Sequence, residues 1–361
     1  MASILKHIRL IAVLGALLMC CAPAEAKISL NLDTLATKGK FPRFVVNTYR
    51  WGNEFFNGYN EDYVVGTGYK FNAKVVSNTL FEYFNFLMPN KQGSLNEMNM
   101  EMRTNPAPTL GFYISYLAIS LGYERDIKHF FSKASQARQR FTFGFNCAIL
   151  SLNLYYINSH EPMTIVKFGK IEEEKKYNIR FENAHCKSIG FDFGYFFNHK
   201  KYSHAAAFSF SRIQQKSAGS FLAGLAVSRD EFDFDFNSLP AEITSQLPES
   251  WKNKRFNAEN TSVMLRGGYG FNWVFAKRWL LGVVETPNVG IRIGHVNEPE
   301  KEKVSFGFTN QFKLSLVWNS NHFFVGAVST VTTNLLYDKV STFVGNSITA
   351  NLTAGFRFNL W

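Results

Sequence analysis

The chain is poor in several features that common protein classes need. Beyond residue 26 it contains no run of eighteen apolar residues, which excludes transmembrane helices. Its histidines are too scattered to indicate a zinc site, and a GxSxG nucleophile motif is absent. Only Cys147 and Cys186 lie beyond the N-terminal segment. Their phases place them on opposite faces of a sheet, so we expect no disulfide between them unless a bulge reverses one phase.

The N-terminus has the pattern of a secretory signal peptide. A basic start, MASILKHIR, precedes a mostly apolar stretch over 10–22, and Ala24-Glu25-Ala26 supplies the small residues of a cleavage site. We therefore expect export and cleavage after Ala26. A lipid anchor on Cys20 or Cys21 is the alternative, but the bulky Met19 stands where such a site needs a small residue.

Most of the remaining chain alternates between apolar and polar residues with a period of two, which indicates β-strands. In SFGFTNQFKLSLVW, from Ser305, one face is phenylalanine and leucine, and the other is small and polar apart from Lys313. The last stretch, NSITANLTAGFRFNLW, follows the same rule. A water-exposed sheet would carry many Lys and Glu on its polar face, whereas here charges collect in the connections. The pattern favours an all-β, antiparallel transmembrane β-barrel; a soluble periplasmic sandwich is the alternative.

Connection lengths suggest the topology. Short turns at 276–278 and 319–321 alternate with long connections at 237–260 and 296–303, as in outer-membrane barrels with short periplasmic turns. We predict about twelve strands, with ten or fourteen as alternatives. The C-terminal strands are expected at 219–235, 261–275, 279–294, 304–317, 322–336 and 343–360, and the earlier ones at 63–76, 79–87, 97–103, 141–156 and 191–197, with a strand also in 110–124.

These features divide the chain into three parts. Residues 1–26 form the signal peptide, 27–62 form a periplasmic segment or a plug in the barrel mouth, and 63–361 form the barrel domain. Indole rings favour the membrane interface, and we expect four of them there: Trp273, Trp279, Trp318 and Trp361.

The chain is basic, with a formal net charge of +11 that cleavage reduces to +10. The charges are scattered, as in KIEEEKK from Lys170, so solvated loops explain most of them. In an exported protein the excess does not indicate nucleic acid. It suits anionic lipid headgroups or lipopolysaccharide phosphates. We expect outer-membrane lipid, lipopolysaccharide and the barrel-assembly machinery as partners, and no cofactor.

Charged residues on the polar faces of the strands are expected to line the lumen, because a lipid-facing Arg is costly. Two readings stay open: opposite charges pair and close the lumen, or a basic excess lines a narrow path for anions. The lumen set is Asp192, Arg266, Arg292, Lys313 and Arg357.

Two further groups are candidate sites. Asp230, Asp233 and Asp235 could bind a cation near the outer rim, although a strand prolonged with one acidic face has the same pattern. His199, Ser203 and His204 could serve a lipid- or lipopolysaccharide-modifying hydrolase, although a connection between two strands is the simpler interpretation. We expect a structural, binding or weakly anion-preferring barrel, with the hydrolase as the alternative.

Three stretches carry a family resemblance: DYVVGTGYKFN from Asp62, NPAPTLGFYISY from Asn105, and FNHKKYSHAAAFSFSRIQQKSAGSFLAG from Phe197. They resemble an uncharacterised Bacteroidetes-type family of secreted domains of unknown function, considered to be outer-membrane barrels. The resemblance covers nearly the whole mature chain and implies the fold, but it implies no catalytic residue. Trp361 departs from the usual barrel-assembly signal because it is out of phase with Phe356, Phe358 and Leu360.

Overall fold

The structure is a computed structural model. It describes residues 57–88, 98–131, 137–160, 162–170, 175–181, 185–235, 239–245, 255–295, 303–337 and 342–360, and single positions between 37 and 53. The expected signal peptide and Trp361 therefore lie outside the described residues. Within them, no helix has the length and apolar character needed to cross a membrane.

Alternation of apolar and polar residues produces strands along nearly the whole described chain. The strands are β1 (Val64–Val65), β2 (Phe71–Met88), β3 (Met98–Thr104), β4 (Ala107–Tyr116), β5 (Ile119–Asp126), β6 (Gln139–Asn146), β7 (Leu150–Ser159), β8 (Met163–Lys170), β9 (Lys175–Phe181), β10 (His185–Phe196), β11 (Ile213–Gln214), β12 (Ala218–Asp235), β13 (Arg255–Ala276), β14 (Trp279–His295), β15 (Lys303–Asn319), β16 (Phe323–Tyr337) and β17 (Thr342–Phe358). The helices are short: a 3-10 turn (Ile127–His129), α1 (His204–Phe208) and α2 (Ala241–Thr244).

Twelve of the described strands close into one antiparallel barrel, in the order β2-β4-β5-β6-β7-β10-β12-β13-β14-β15-β16-β17. The last strand closes it by pairing with β2, from Thr342 opposite Leu87 to Phe358 opposite Phe71. Closure removes the unpaired backbone groups of an open edge. The prediction of an antiparallel barrel of about twelve strands is confirmed.

The second half of β2 continues beyond the barrel and carries a smaller sheet. There it pairs with β3, which pairs with β8, and β8 pairs with β9. This extension has its own core of Met100, Met102, Met163, Ile165 and Phe168, closed by side chains from the segment that contains α2, namely Leu239 and Ile243.

The two faces of the barrel wall differ sharply in composition. Phe306, Leu352 and Phe221 are more than 60% exposed on the outside, whereas Asn272 and Ser315 are fully buried on the inside. The outer face is therefore apolar and the inner face polar, as the alternation predicts.

The two ends of the barrel also differ. Residues 117–118, 147–149, 277–278 and 320–322 form short turns at the end where β2 begins and β17 ends. We call this the short-turn end, and the opposite one the long-loop end. The wall is uneven: β4 to β7 have 8–10 residues, whereas β12 to β17 have 15–22.

The expected strands upstream of β12 need correction although their total is right. Residues 141–156 form two strands, because the turn Cys147–Ile149 is apolar and buried and so gives no polar turn signal. Residues 71–88 form one strand, because Asn78 faces the lumen and donates to Glu124 there. Residues 110–124 contain two strands, and β3 lies outside the barrel.

Two smaller corrections concern β13 and the cysteines. β13 begins at Arg255, six residues before the expected start, because it continues past the barrel as a partner of β12. Cys147 lies at the short-turn end, and Cys186 lies at the other end of the wall, where it pairs with Ser159. The expectation that they form no disulfide with each other agrees with the structure, but the reason is height along the barrel.

The exposed Leu352 tests the assignment of faces. If the outer face meets lipid, Leu352→Arg should destabilise the barrel by about 2–4 kcal/mol near the membrane midplane. Its neighbour Asn351 faces the polar interior, so Asn351→Arg should cost clearly less. Unfolding in urea, followed by the mobility difference between folded and heated protein on gels, measures both. Equal costs would mean that the faces are assigned wrongly.

Candidate functional site

The connection between β10 and β12 folds back into the short-turn end of the barrel. It contains α1 and β11, and β11 pairs with β1 from the segment before the wall. Asn60 N donates to Lys200 O (2.8 Å), and Gln215 N donates to Tyr63 O (2.7 Å). We call residues 57–67 and 198–217 the plug. It contains most of the motif from Phe197 on which the family resemblance rests.

Ser203 begins α1 as its N-cap. Its Oγ accepts from Ala206 N (3.2 Å) and donates to Tyr59 OH (3.4 Å), which satisfies one of the free amides at a helix start. Three alanines follow and are fully buried or nearly so. The small side chains let this helix fit inside the barrel.

A buried amide pair ties the plug to the wall. Asn272 of β13 donates to Ser203 O (2.9 Å) and to Gln214 Oε1 (3.0 Å). Gln214 in turn donates to Lys201 O (2.6 Å) and to Lys216 O (2.9 Å). The Gln214 amide and the Asn272 NH2 group can be buried at low cost because they have these partners, whereas Asn272 Oδ1 is buried without one among the described residues.

Glycines on the inner wall make room for the plug. A Cβ at Gly326 would lie 2.7 Å from the Phe210 ring, and one at Gly282 would lie 2.6 Å from Ala207 Cβ. Phe210 itself has φ 61°, a conformation that is strained for a bulky residue. The tight packing indicates that the plug belongs to this position.

Arg357 joins the plug to the last strand. Its guanidinium donates to Ser320 O (2.6 Å), Asn321 O (3.1 Å), Asn319 Oδ1 (2.7 Å) and Phe210 O, and it lies 4.5 Å from the centre of the Phe324 ring. The residue is only 4% exposed. Its four acceptors are neutral oxygens, and no ion pair to it is found among the described residues. Arg357 was expected to line the lumen. It does lie inside the barrel, but its guanidinium binds the plug.

The catalytic candidates are parts of the plug. His204 stacks on Phe196 and Phe208, with ring centres 4.8 and 4.7 Å apart, and Ser203 makes the capping contacts described above. Burial and the positive charges of Lys313 and Arg266 lower the pKa of His204 to about 3. Burial also lowers the pKa of His199 in the preceding turn. A base with so low a pKa is poorly matched to neutral pH.

Above the plug, a belt of charges crosses the lumen. Arg266 lies 3.4 Å from Asp192 and 3.3 Å from Gln311. Lys313 interacts electrostatically with Arg266, Asp192 and Arg140, although Arg140 lies on β6, six strands around the barrel from β15. Charges on opposite walls are thus close enough to couple across the bore.

The belt of charges continues on β2, β5 and β6, whose charged residues were not among the lumen residues expected from the sequence. Glu124 accepts from Asn78 (3.1 Å), Thr109 (3.3 Å) and Tyr113 OH, and it attracts Arg140. Lys74 lies 5.0 Å from the Tyr113 ring centre. The sequence could have predicted that Glu124 and Arg140 face the lumen, because they alternate with the outward Tyr123 and Phe141.

The aspartates predicted to bind a cation are separated by the strand. Asp230 faces the lumen, where it accepts from Ser188 (2.6 Å) and Ser228 (2.7 Å) and lies 3.8 Å from Arg292. Asp233 is an odd number of residues away and lies on the other face; the Asp235 side chain lies outside the described residues. No group of His, Cys, Asp and Glu suited to a metal ion occurs in the described part of the chain.

Three of the four tryptophans lie on the outer wall near the short-turn end. Trp273 is 51% and Trp279 38% exposed, and Trp318 stands opposite Trp279. Phe275 packs near both Trp273 and Trp279. An aromatic girdle of this kind fits a membrane interface.

A closed antiparallel barrel with an apolar outside, a polar inside and an aromatic girdle is the architecture of outer-membrane β-barrels. Residues 59–358 match the family model described as a domain of unknown function, DUF4421. The chain belongs to this family.

Solved barrels share the architecture at low similarity. The outer membrane protease OmpT of Escherichia coli aligns at 9% identity and a TM-score of 0.34, covering 80% of this chain and 97% of OmpT. The P. putida toluene transporter TodX aligns at 7% identity and 0.26, covering 81% and 91%. A bacterial polysaccharide outer membrane secretin aligns at 7% and 0.32, covering 80% and 98%. No curated protein matches the sequence.

Removing the Arg357 guanidinium should loosen the plug and the last strand together. Arg357→Met leaves its buried acceptors without a donor and should cost about 3 kcal/mol. Arg357→Lys keeps the charge but loses the planar fork, so it should recover only part of the loss. Urea unfolding measures both, with Arg278→Met in an exposed turn as the control. A stable Arg357→Met variant would contradict the proposed role.

Acid should weaken the plug through His204. The folded pKa near 3 lies below the ordinary value of about 6.5, so the stabilising contribution is complete above pH 6.5. It declines as the pH falls from there towards 3. His204→Phe keeps the stacking and should be less sensitive to acid than the wild type. Unfolding temperatures at pH 7.5 and 4.5 give the comparison; identical pH dependence would refute it.

Proposed function

We propose that this chain is an outer-membrane barrel closed by its own plug, with a structural or binding role and no open pore at rest. In this proposal the short-turn end faces the periplasm, and the long loops and the extension face outward, as in other barrels of this architecture. The N-terminal pattern for export and cleavage after Ala26 supports this location.

The observation that carries the proposal is the fit of the plug into the wall. Gly282 and Gly326 leave room for its side chains, and Arg357 and Asn272 bond it from two sides. A loop resting loosely in a pore would not need such complementary contacts. The charge belt above it adds a second barrier, because Lys313 and Arg140 approach from opposite walls.

A displaced plug would leave a basic lumen. On the described strands of the barrel, the inward bases Lys74, Arg140, Arg266, Arg292, Lys313 and Arg357 outnumber the inward acids Glu82, Glu124, Asp126, Asp192 and Asp230. Rings of positive side chains favour anions in narrow pores. The anion-preferring channel is therefore the state expected when the plug is released.

The hydrolase alternative has less support. A lipid-modifying enzyme needs its nucleophile and base where lipid reaches them. Ser203 is 0% exposed inside the plug, and its hydroxyl is engaged in helix capping. His204 stacks between aromatic side chains and stays neutral.

Plug release can be tested by electrical recording in planar bilayers. Wild-type protein should be mostly silent, whereas Gly326→Leu should open channels with a reversal potential that indicates anion preference, because the new side chain occupies the place of Phe210. Gly267→Leu is the matched control, since a Cβ there meets no atom within 4 Å. Steady wild-type conductance equal to that of Gly326→Leu would overturn the closed-barrel proposal.

A further inference from the structure

The outer wall over the short strands contains a depression of about 980 Å³. Its size is typical of small-molecule and lipid-chain sites. It is lined almost wholly by apolar groups from seven neighbouring strands, β17, β2, β4, β5, β6, β7 and β10. The outward residues of its lining on which the argument depends are Ala73, Phe112, Tyr123, Phe141, Tyr156 and Ala354.

The opposite face of this wall explains why the outside is hollow. A Cβ at Gly122 would lie 2.0 Å from the Tyr113 ring, and one at Gly190 would lie 2.2 Å from the Tyr155 ring. The two tyrosine rings thus pack against glycines on the inner face. Because the glycines have no side chain, the rings lie close to the backbone of the wall. On the outside, Ala73 and Ala354 present small side chains where neighbouring strands carry rings.

Strand register arranges the outer residues in level rows. Arg125 stands opposite Gln139, Gln139 opposite Asn158, and Asn158 opposite Lys187, so these four form one polar row across β5, β6, β7 and β10. The next row towards the short-turn end is apolar and mostly aromatic: Phe112, Tyr123, Phe141, Tyr156 and Ile189. A polar edge therefore borders the depression at its upper side.

The apolar part of this wall is low. On β5 the outward apolar side chains run only from Ile119 to Tyr123, about 13 Å along the strand, whereas an outer-membrane barrel usually shows an apolar band of about 25 Å. On β15 of the other wall, the outward side chains from Val304 to Trp318 are apolar except Asn310, which donates to Glu285. Lipids beside the short strands must bring their headgroups deeper to meet the polar row.

Two cations stand in the polar row, and they are well separated. Arg125 and Lys187 are three strand spacings apart, which is about 14 Å. A lipid with one phosphate could reach only one of them. A headgroup with a phosphate at each end of a disaccharide, as in lipid A, could reach both.

We propose that this face binds one molecule of lipid A, the diphosphorylated anchor of lipopolysaccharide. Acyl chains occupy the depression, and the two phosphates meet Arg125 and Lys187. The inference rests on the proposed outer-membrane location, with the long-loop end outward. It goes beyond the plugged barrel, because the site is on the outside and uses none of the plug residues.

Neighbouring groups are compatible with this occupant. Lys187 Nζ lies 4.0 Å from Glu231 in an exposed pair, which is weak enough for a phosphate to replace. Lys128 is exposed just beyond Arg125, and Phe130 packs on Phe112 at the rim. Further along the rim, the His160 and His185 rings stack 4.1 Å apart, and Asp233 stands opposite His185, beyond the two cations of the polar row.

Native mass spectrometry of detergent-purified full-length protein, titrated with defined lipids, tests the site. The probes are diphosphoryl lipid A, monophosphoryl lipid A and phosphatidylglycerol. Wild-type protein should retain diphosphoryl lipid A best. Arg125→Gln with Lys187→Gln should lower that retention about a hundredfold, since each of the two charged contacts is worth about a factor of ten. Ala73→Phe with Ala354→Phe should fill the depression and lower retention of all three lipids.

Matched controls separate this site from ordinary lipid solvation. Lys277→Gln with Arg278→Gln removes the same charges from a turn at the other end, and Val289→Phe adds a ring to the outer face of β14, six strands around the barrel from β5; both should retain lipid A like the wild type. Equal retention by all variants would mean that lipid binds non-specifically around the barrel, and would contradict the proposed site. Equal retention of phosphatidylglycerol and lipid A by wild-type protein would overturn the assignment to lipid A. Gel mobility before and after heating shows in each case that the barrel is folded.

Discussion

The buried guanidinium of Arg357 is the contact on which the arrangement of this barrel depends. It stands on the final strand, donates to the turn between β15 and β16, and reaches Phe210 in the plug. A buried cation is costly unless its hydrogen bonds are complete. The wall and the plug must therefore both be in place for this residue to be stable, and each supports the position of the other.

The barrel wall has a high side of long strands and a low side of short strands, and the two sides differ both in the lumen and on the outer surface. Long strands from β12 to β17 make a high wall that faces the plug with glycines, and short strands from β4 to β7 make a low wall lined inside by tyrosines. The charge belt joins the two across the bore, from Lys313 to Arg140. The interior is closed on the side of the high wall, and the depression lies outside the low wall.

Alternation made the C-terminal half of the fold predictable. In β17, Leu352 and Phe356 face outward and Thr353 and Arg357 inward, as period two requires. The strands before β12 were harder, because the apolar turn at Cys147 and the lumen-facing Asn78 both contradict the usual signs of turns and strands. The separation of Asp230 from Asp233 follows from the same alternation and could have been inferred from it.

The partners inside the barrel were beyond sequence reasoning. Ser203 and Asn272 are 69 residues apart, and Phe210 and Arg357 are 147 apart, and no local pattern indicates that they meet. The motif from Phe197 carried the family resemblance, and its histidines and serines were considered as catalytic candidates. Its three consecutive alanines, which are buried in a short helix, were the better sign of a segment that packs inside the barrel.

The order of the plug and of Arg357 along the sequence also has a consequence for assembly. The plug, from residue 198 to 217, precedes β16 and β17, the strands that supply Gly326 and Arg357. The final hairpin must close around a plug that is already seated, because the pocket for Phe210 is completed by that hairpin. The plug can thus act as an internal template for the hairpin that seals the seam between β17 and β2.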